Sequence, residues 1–423
     1  MSDAGREQHG PGQGGQPQAA AAGRGEAGAA LNPARPRRGW LSAALFRTLG
    51  RGGAKAGAAW LGVVALAAVV APFVASSHPI VMETANGEVR SPMWEHLTAF
   101  DVALPIAAAM GVLFVFRPKR WTPRRRLAVW AAASMGAWLV LLPITSPPEL
   151  VVYERYRTMQ AEGEIAWAVH APIPYSPTDR QRDRPDAKKL APSLDHLMGT
   201  TINGEDLASR MIHASRIAMS IGFIATGLAS VIGVVIGSLM GYFSKLVDLL
   251  GMRLVEIFEA IPQLYLLLTF VAVLPPELNP YRLYFIMVII GLTSWTGYAR
   301  FTRAEFLRLR AMDYVTAALA LGVPLHAVLL KHMLPNGVAP VLVTASFGVA
   351  SAIIAESTLS FLGLGLVDEP SWGQMLSQAI QATGSFLWWM ATFPGLAIFL
   401  TVFAYNLIGE SLRDAIDPKA DQG

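Results

Sequence analysis

Long apolar runs separated by short polar stretches dominate this chain of 423 residues. A helix needs roughly 20 apolar residues to cross the hydrocarbon core of a bilayer, and eight of the runs reach or approach that length. The runs cover residues 58–74, 102–116, 127–142, 217–240, 254–274, 283–298, 338–359 and 387–408. The pattern predicts an all-α fold, namely a polytopic helical membrane protein with about eight transmembrane helices.

The composition of the chain indicates the same class. Hydrophobic residues make up 53% of the chain and charged residues only 15%, which excludes an ordinary soluble protein of this length. The net charge of +4 does not indicate a nucleic-acid partner, because the basic residues cluster beside the apolar runs. The sequence contains no cysteine, so disulfides and cysteine-ligated metals are excluded.

The basic residues set the predicted orientation of the chain. Six of the ten residues in the segment 117–126 are Lys or Arg, and short basic loops of membrane proteins face the cytoplasm. Both termini are then cytoplasmic, and the loops 76–98 and 145–210 are extracytoplasmic. The second loop is also basic, but loops longer than roughly 60 residues are exempt from the charge rule.

Five regions follow from this pattern. Residues 1–38 are predicted to be a disordered cytoplasmic tail, since they offer little apolar surface to bury and lack the apolar run of a signal peptide; a transit peptide is the alternative. Residues 39–144 form an N-terminal membrane region with three spans. Residues 145–210 form the extracytoplasmic loop, residues 211–410 the transmembrane core, and residues 411–423 a cytoplasmic C-terminal tail.

The stretch 313–336 lies between two apolar runs and has the signals of two short helices joined by a sharp bend. Asp313 is a predicted N-cap, and Gly322 stands where a helix C-cap prefers glycine. Pro324 is predicted to begin the second helix and Pro335 to end it. Three alanines in the first helix would let another surface approach its backbone closely. An ordinary surface hairpin is the alternative interpretation.

This stretch resembles the EAA loop of ABC-transporter permeases, in which Glu-Ala-Ala is followed by a glycine four residues on and then by Leu-Pro. Here the pattern is Thr316-Ala317-Ala318, Gly322 and Leu334-Pro335, with threonine in place of the glutamate. The resemblance implies that the loop couples a permease to a separate ATPase. The residues assigned to coupling are Asp313, Tyr314, Thr316, Ala317, Ala318, Gly322, Leu334 and Pro335.

Further segments resemble the second permease subunit of dipeptide/oligopeptide ABC importers, and they occur in the family's order. They lie at residues 199–210, 252–262, 356–365, 371–373 and 393–414. The resemblance implies a type I ABC importer transmembrane fold in the bacterial inner (plasma) membrane. The implied partners are a second permease subunit, two cytoplasmic ATPase subunits, an extracytoplasmic solute-binding protein and membrane lipid, with no nucleic acid. Family members usually have one span before the core, so two of the N-terminal spans are extra.

Small residues recur every four positions in the fourth run and its cytoplasmic end. They are Ala225, Ala229, Gly233, Gly237 and Gly241. Residues four apart share one face of a helix, and a smooth face of this kind lets helices approach closely in lipid. The sequence therefore predicts a helix-packing stripe rather than a binding site.

Charged residues inside membrane spans suggest function by default. Glu256 and Glu259 lie in the fifth run, but both are near its cytoplasmic end, and Arg253 precedes Glu256 by three residues. An interfacial ion pair is the favoured interpretation. Pro262 is predicted to kink this helix. Before the fourth run, Asp206 and Arg210 have the spacing of an ion pair along one helix.

The sequence carries no motif of catalysis. No phosphate-binding loop of the form Gly-x-x-x-x-Gly-Lys-Ser/Thr occurs, so the energy source must be another chain. The protein is therefore expected not to be an enzyme and to hold no cofactor or metal of its own, with ATP and Mg bound by the partner ATPase subunits. Peptides are the solute that the resemblance implies. Nickel or another non-peptide solute stays open, and a secondary transporter is a further alternative.

Overall fold

The computed structural model of the protein describes residues 46–116, 123–145, 148, 151–366, 369–382 and 386–416. The predicted N-terminal tail and most of the basic segment 117–126 lie outside these residues. The last helix continues to Ile416, so it includes the first half of the region predicted as a C-terminal tail.

Helices form at every apolar run, which confirms the helical prediction. They are α1 Gly52–Val74, α2 Pro92–His96, α3 Ala99–Phe116, α4 Pro123–Leu141, α5 Arg155–Ala161, α6 Leu207–Phe243, α7 Lys245–Ala260, α8 Gln263–Ala272, α9 Arg282–Arg310, α10 Asp313–Ala320, α11 Leu325–Ala327, α12 Leu334–Phe361, α13 Trp372–Gln381 and α14 Trp388–Ile416. Short 3₁₀ turns occur at Pro185–Ala187 and Pro276–Tyr281. Three strands, β1 Val81–Thr84, β2 Val89–Arg90 and β3 Ile165–Val169, complete the described secondary structure.

The number of spans is lower than predicted when length and apolarity are both required. Within the described residues, four helical segments meet both conditions, and the bent pair of α7 and α8 makes a fifth if it is one span. The four are α1, α6, the run Leu325–Phe361 and α14. Helix α3 is apolar but short, and α4 and α9 carry more polar residues. The count of eight is therefore not confirmed and stays a prediction.

The longest helix, α6, packs along α9, and the stripe of small residues provides the contact. Ala225 and Ala229 are buried, and the three glycines of the stripe touch the α9 backbone so closely that no side chain would fit. A Cβ atom added at Gly241 would lie 2.6 Å from the carbonyl oxygen of Arg303 and 2.6 Å from Cβ of Phe306. The two helices thus meet backbone to backbone, as small-residue stripes allow in lipid.

The fifth apolar run is broken at Pro262, where a kink was predicted. Helices α7 and α8 differ in direction by 71° across the break at Ile261 and Pro262. Glu256 pairs with Arg253 at 2.6 Å, and Glu259 pairs with Arg300 of α9. Both carboxylates of this run are therefore neutralised by arginines, in agreement with the structural interpretation.

The loops 76–98 and 145–210, predicted to be extracytoplasmic, form one small subdomain with strands that the all-α prediction missed. Strand β1, from the first loop, pairs antiparallel with β2 and also with β3, which lies some 80 residues further along in the second loop. Because paired strands must share one side of the membrane, the loops 76–98 and 145–210 lie on the same side, as the orientation requires.

Buried polar contacts hold the subdomain together. The guanidinium of Arg157 donates to Asp179 at 2.7 Å and to Asp183 at 2.8 Å. Ser77 donates its hydroxyl to Asp179 at 2.6 Å, so the first loop is tied to the second at the same carboxylate. Charge-assisted hydrogen bonds of this kind are among the stronger polar contacts in proteins.

The predicted pairing of Asp206 with Arg210 is wrong. Asp206 is the N-cap of α6: it accepts a hydrogen bond from the backbone N–H of Ser209 at 2.8 Å, and His196 contacts its other oxygen at 2.8 Å. Arg210 pairs instead with Glu205, at 3.2 Å. An N-cap side chain turns back toward the start of its helix, so it does not follow the spacing rule for the helix surface.

The extracytoplasmic subdomain should lose stability in acid because of His78. Burial, and then the stacked ring of His96, lower the pKa of His78 to about 4, and Asp179 opposes this only in part. The unfolded chain binds the proton near pH 6.5, so the free energy of unfolding falls as the pH drops from about 6.5 to about 4. At pH 4.5 the expected loss is about 2–3 kcal/mol.

This pH dependence is measured as the thermal unfolding midpoint of the full chain between pH 7.5 and 4.5. His78→Gln removes one titrating ring and should make the profile shallower, whereas His326→Gln, at an exposed position in another part of the chain, should leave it unchanged. Equal profiles for wild type and His78→Gln would contradict the assignment.

The orientation can be tested with single cysteines, because the natural chain has none. Asp186 is exposed on the subdomain, and Thr316 is exposed in the loop predicted to lie on the cytoplasmic side. A membrane-impermeant maleimide should label Asp186→Cys in intact spheroplasts and label Thr316→Cys only after lysis. Labelling of position 316 before lysis would reverse the assigned topology.

Candidate functional site

The loop at 313–336 begins one residue earlier than the sequence indicates. Helix α10 is capped by Met312, whose carbonyl oxygen accepts the N–H of Val315 at 3.0 Å, and Asp313 is the first helical residue. The prediction of Asp313 as N-cap is therefore wrong. Its carboxylate lies in the first turn, where the helix dipole favours a negative charge.

The C-terminus of α10 is closed by Gly322 in the left-handed conformation, with φ of +75°. The N–H of Val323 donates to the carbonyl of Ala318 at 3.1 Å, and the N–H of Gly322 donates to that of Leu319 at 3.0 Å. This is the Schellman pattern of hydrogen bonds, which requires a positive φ at the glycine. No other atom lies within 4 Å of the position of a Cβ at Gly322, so backbone conformation alone requires glycine.

Pro335 begins a helix rather than ending one, contrary to the prediction. Pro324 caps the short helix α11, which continues through a π turn at Val328–Met333 into α12, and Pro335 lies in the first turn of α12. Proline has no N–H to donate, and inside a regular helix its ring would clash with the carbonyl four residues earlier. Both problems are absent in a first helical turn, and the wider π turn before Pro335 gives the ring room.

Helix α10 has one buried and one exposed face. Val315 and Ala318 pack into a cluster with Phe306 and Leu309 of α9 and with Val328 and Met333 of the following turn. The opposite face presents Tyr314, Ala317 and Leu319 to the outside, and Leu321 beyond them is 84% exposed. A rigid, inward-packed helix thus displays an apolar surface at the end of the bundle, and exposed apolar surfaces of this kind mark interaction sites.

Polar contacts within the loop fix its two ends. The hydroxyl of Thr316 donates to the carbonyl of Asp313 at 2.9 Å, so the residue at the glutamate position of the EAA pattern is used inside α10. The side-chain amide of Asn336 donates to the carbonyl of His332 at 2.7 Å, which fixes the start of α12 beside Leu334 and Pro335. Burial raises the pKa of the Tyr314 hydroxyl above its usual value, so this phenol stays protonated at neutral pH.

Arginines at the end of α9 fasten the loop to the rest of the bundle. Arg303 donates to Asp248 of α7 at 2.6 Å. Arg310 donates to the carbonyl of Tyr242 at 2.7 Å and to the hydroxyl of Ser244 at 2.8 Å, at the turn between α6 and α7. These two arginines therefore hold the end of α9, next to the loop, against α7 and the turn between α6 and α7.

Phe306 contacts both the loop 313–336 and the stripe of small residues on α6. Its side chain is fully buried in the cluster beneath α10, and its Cβ faces Gly241, the last residue of the stripe on α6. A displacement of α10 therefore acts on α9 and α6 together, because packed interiors transmit small shifts without compressing.

A polar cavity of about 310 Å³ lies between α6, α8, α9 and α12. The side-chain amide of Gln263 donates to the hydroxyls of Thr293 at 3.2 Å and Ser294 at 2.9 Å. The described residues that line this cavity carry no charge, and some of them are apolar or glycine. Those with hydroxyl or amide groups are Thr226, Gln263, Thr293, Ser294, Thr296, Tyr298, Thr344 and Ser351. This cavity was not predicted from the sequence, although a glutamine at position 263, directly after Pro262 in an apolar run, indicates a polar site.

The described residues contain no cluster of three metal-ligating side chains. What the geometry offers is a displayed apolar helix at one end and an uncharged polar cavity among the spans.

Comparison with known proteins agrees with this arrangement. The family described as binding-protein-dependent transport system inner membrane component matches residues 233–422, which include the loop, the cavity helices α8, α9 and α12, and the last span. The dipeptide transport system permease protein DppC of Alkalihalophilus pseudofirmus is 34% identical over 256 residues, which are 60% of this chain and 82% of that protein.

Two further relatives show the same extent of similarity. The oligopeptide transport system permease protein OppC of Haemophilus influenzae is 36% identical over 252 residues, which are 59% of this chain and 77% of that protein. The di/tripeptide transport system permease protein DppC of Pseudomonas aeruginosa is 36% identical over 258 residues, which are 60% of this chain and 83% of that protein. The chain therefore belongs to the binding-protein-dependent transport system inner membrane components, as a multi-pass ABC-transporter permease of the bacterial inner membrane.

Proposed function

We propose that this chain is one of two permease subunits of an ATP-driven peptide importer. In this proposal the loop 313–336 seats on a cytoplasmic ATPase, and an extracytoplasmic solute-binding protein delivers the solute. The observation that carries the proposal is the exposed apolar face of α10, held rigidly over the ends of α6 and α9. ATP and Mg are bound by the ATPase in this scheme.

The solute class rests on the cavity and on the relatives' names. The relatives are named as permease proteins of dipeptide, di/tripeptide or oligopeptide transport systems. The cavity lining offers hydroxyl and amide groups, which suit peptide N–H and C=O groups, whereas it offers neither the imidazoles nor the carboxylates that a nickel ion prefers. The chain therefore contributes one wall of a path for hydrogen-bonding solutes.

The test is reconstitution of the chain with a second permease, ATPase subunits and a solute-binding protein from the same organism. Proteoliposomes should take up labelled trialanine only when ATP and the binding protein are both supplied, and they should not take up nickel. Uptake of trialanine without ATP would favour a secondary transporter. Uptake of nickel but not of trialanine would overturn the assigned solute class.

A further inference from the structure

A second polar pocket, separate from the inner cavity, lies on the extracytoplasmic side. It has a volume of about 520 Å³ and lies where the subdomain meets the first turn of α6 and helix α13. The subdomain contributes Tyr153, Glu154, Arg180 and Arg182, and the bundle contributes Arg210 and Gln374. Ligand pockets commonly have volumes of about 300–1,000 Å³, so this one has room for a small solute.

Arg210 is the fixed group of this pocket. The residue is only 3% exposed, and it is held by the carbonyl of Pro177 at 3.1 Å and by the side-chain oxygen of Gln374 at 2.8 Å. Its Nε–H is buried and has no hydrogen-bond partner among the residues that the structure describes. A buried donor without a partner is costly, so the Arg210 guanidinium keeps unused hydrogen-bonding capacity at the wall of this pocket.

The charges around Arg210 favour a carboxylate as that ligand. Glu205 is already engaged, since it pairs with Arg210 at 3.2 Å, accepts the hydroxyl of Thr201 at 2.7 Å and lies 3.6 Å from Arg180. Arg182 lines the same pocket and makes no ion pair with any described residue. The pocket thus keeps positive charge in excess, and guanidinium groups recognise carboxylates by paired hydrogen bonds.

Glu154 supplies the complementary charge. It is the last residue before α5 and lines the pocket together with the arginines. A solute that carries both a carboxylate and an ammonium group would therefore find a partner for each. Free short peptides have this chemistry at their two termini.

We propose that this pocket binds the terminal carboxylate of a short peptide before the peptide enters the membrane path. The inference rests on the proposed function for the peptide class. Helix α6 joins the two sites: Arg210 lies in its first turn, and Thr226 lines the inner cavity 16 residues further on, which corresponds to roughly 24 Å along the helix. The pocket therefore acts as an outer binding site from which a peptide can pass along α6 to the cavity.

The experiment measures equilibrium binding of trialanine and of trialanine amide to the full chain in lipid nanodiscs. Trialanine should bind at least tenfold more tightly than its amide, which lacks the carboxylate. Arg182→Gln, an exposed change, should weaken trialanine binding about tenfold and abolish the preference over the amide. Arg90→Gln, an exposed arginine of the same subdomain outside the pocket, is the matched control and should bind like wild type.

The two proposals fail in different ways. Equal binding of trialanine and its amide, no binding of trialanine at ~10 mM, or unchanged binding by Arg182→Gln would each overturn the pocket assignment, whether or not the importer takes up peptides. In the opposite case, an assembled importer binds trialanine with these preferences and yet transports no peptide. That result would support the pocket assignment and overturn the proposed function.

Discussion

Gly237→Val should prevent this chain from folding in the membrane, whereas Gly227→Val, on the same helix, should be tolerated. A Cβ atom at Gly237 would touch the carbonyl oxygen of Ala299 and lie 2.8 Å from Cβ of Thr302. Because the nearest obstacle is backbone, α6 and α9 would have to separate along their whole contact. The expected cost is about 4 kcal/mol, above ordinary overpacking because two helices move together.

Gly227 provides the matched control, since no atom lies within 4 Å of the position of its Cβ. Valine there changes only helix propensity and lipid contact, so the expected effect is within about 1 kcal/mol. The measurements are the yield of monodisperse protein after detergent extraction and its thermal unfolding midpoint. A Gly237→Val protein with the wild-type midpoint would show that the stripe does not set the distance between α6 and α9.

Leu321→Asp should abolish transport while leaving the chain folded. Leu321 is 84% exposed beside α10, so a charge there costs the isolated chain little. In an interface with an ATPase the same carboxylate would be desolvated without a partner, which costs several kcal/mol. ATP-driven uptake by the reconstituted importer should therefore fall at least tenfold. Leu194→Asp is the matched control, because Leu194 is 97% exposed in the loop 145–210, far along the chain from α10.

Two further substitutions in the loop test the contact surface of α10 and its backbone conformation separately. Ala317→Glu places a charge on the exposed face of α10 and should behave like Leu321→Asp. Gly322→Val strains the left-handed residue by about 1–2 kcal/mol and should misdirect the loop without unfolding the spans. Wild-type uptake in all of these variants, with normal assembly, would remove the coupling role from the loop. Loss of the protein from the membrane would instead indicate that the hairpin serves only the fold.

The sequence predicted the features that depend on local periodicity. The apolar runs became helices, the four-residue spacing from Ala225 to Gly241 became a packing face, and Gly322 took the conformation that only glycine adopts readily. Each of these follows from residues within one or two turns of a helix, so the pattern is complete in the sequence itself.

The features that were missed depend on distant residues. Strands β1 and β3 are only four and five residues long and lie far apart in the chain, so neither has a signal of its own until the two pair. Arg210 was predicted to pair with Asp206 because the spacing rule ignores capping. The pocket that Arg210 lines is built from four separate segments of the chain. Tertiary placement, rather than propensity, decided each of these positions.

The break between α7 and α8 leaves backbone polar groups that need hydrogen-bond partners from water or protein. A helix that stops and restarts leaves its last carbonyls and first N–H groups without helical partners, and Pro262 has no N–H to offer. In hydrocarbon each such group would cost several kcal/mol, so the unpaired backbone groups at the break cannot face lipid. These groups must therefore be hydrated or covered by protein. If they are hydrated, amide hydrogens at the start of α8 will exchange quickly with heavy water, while those in the middle of α6 stay protected.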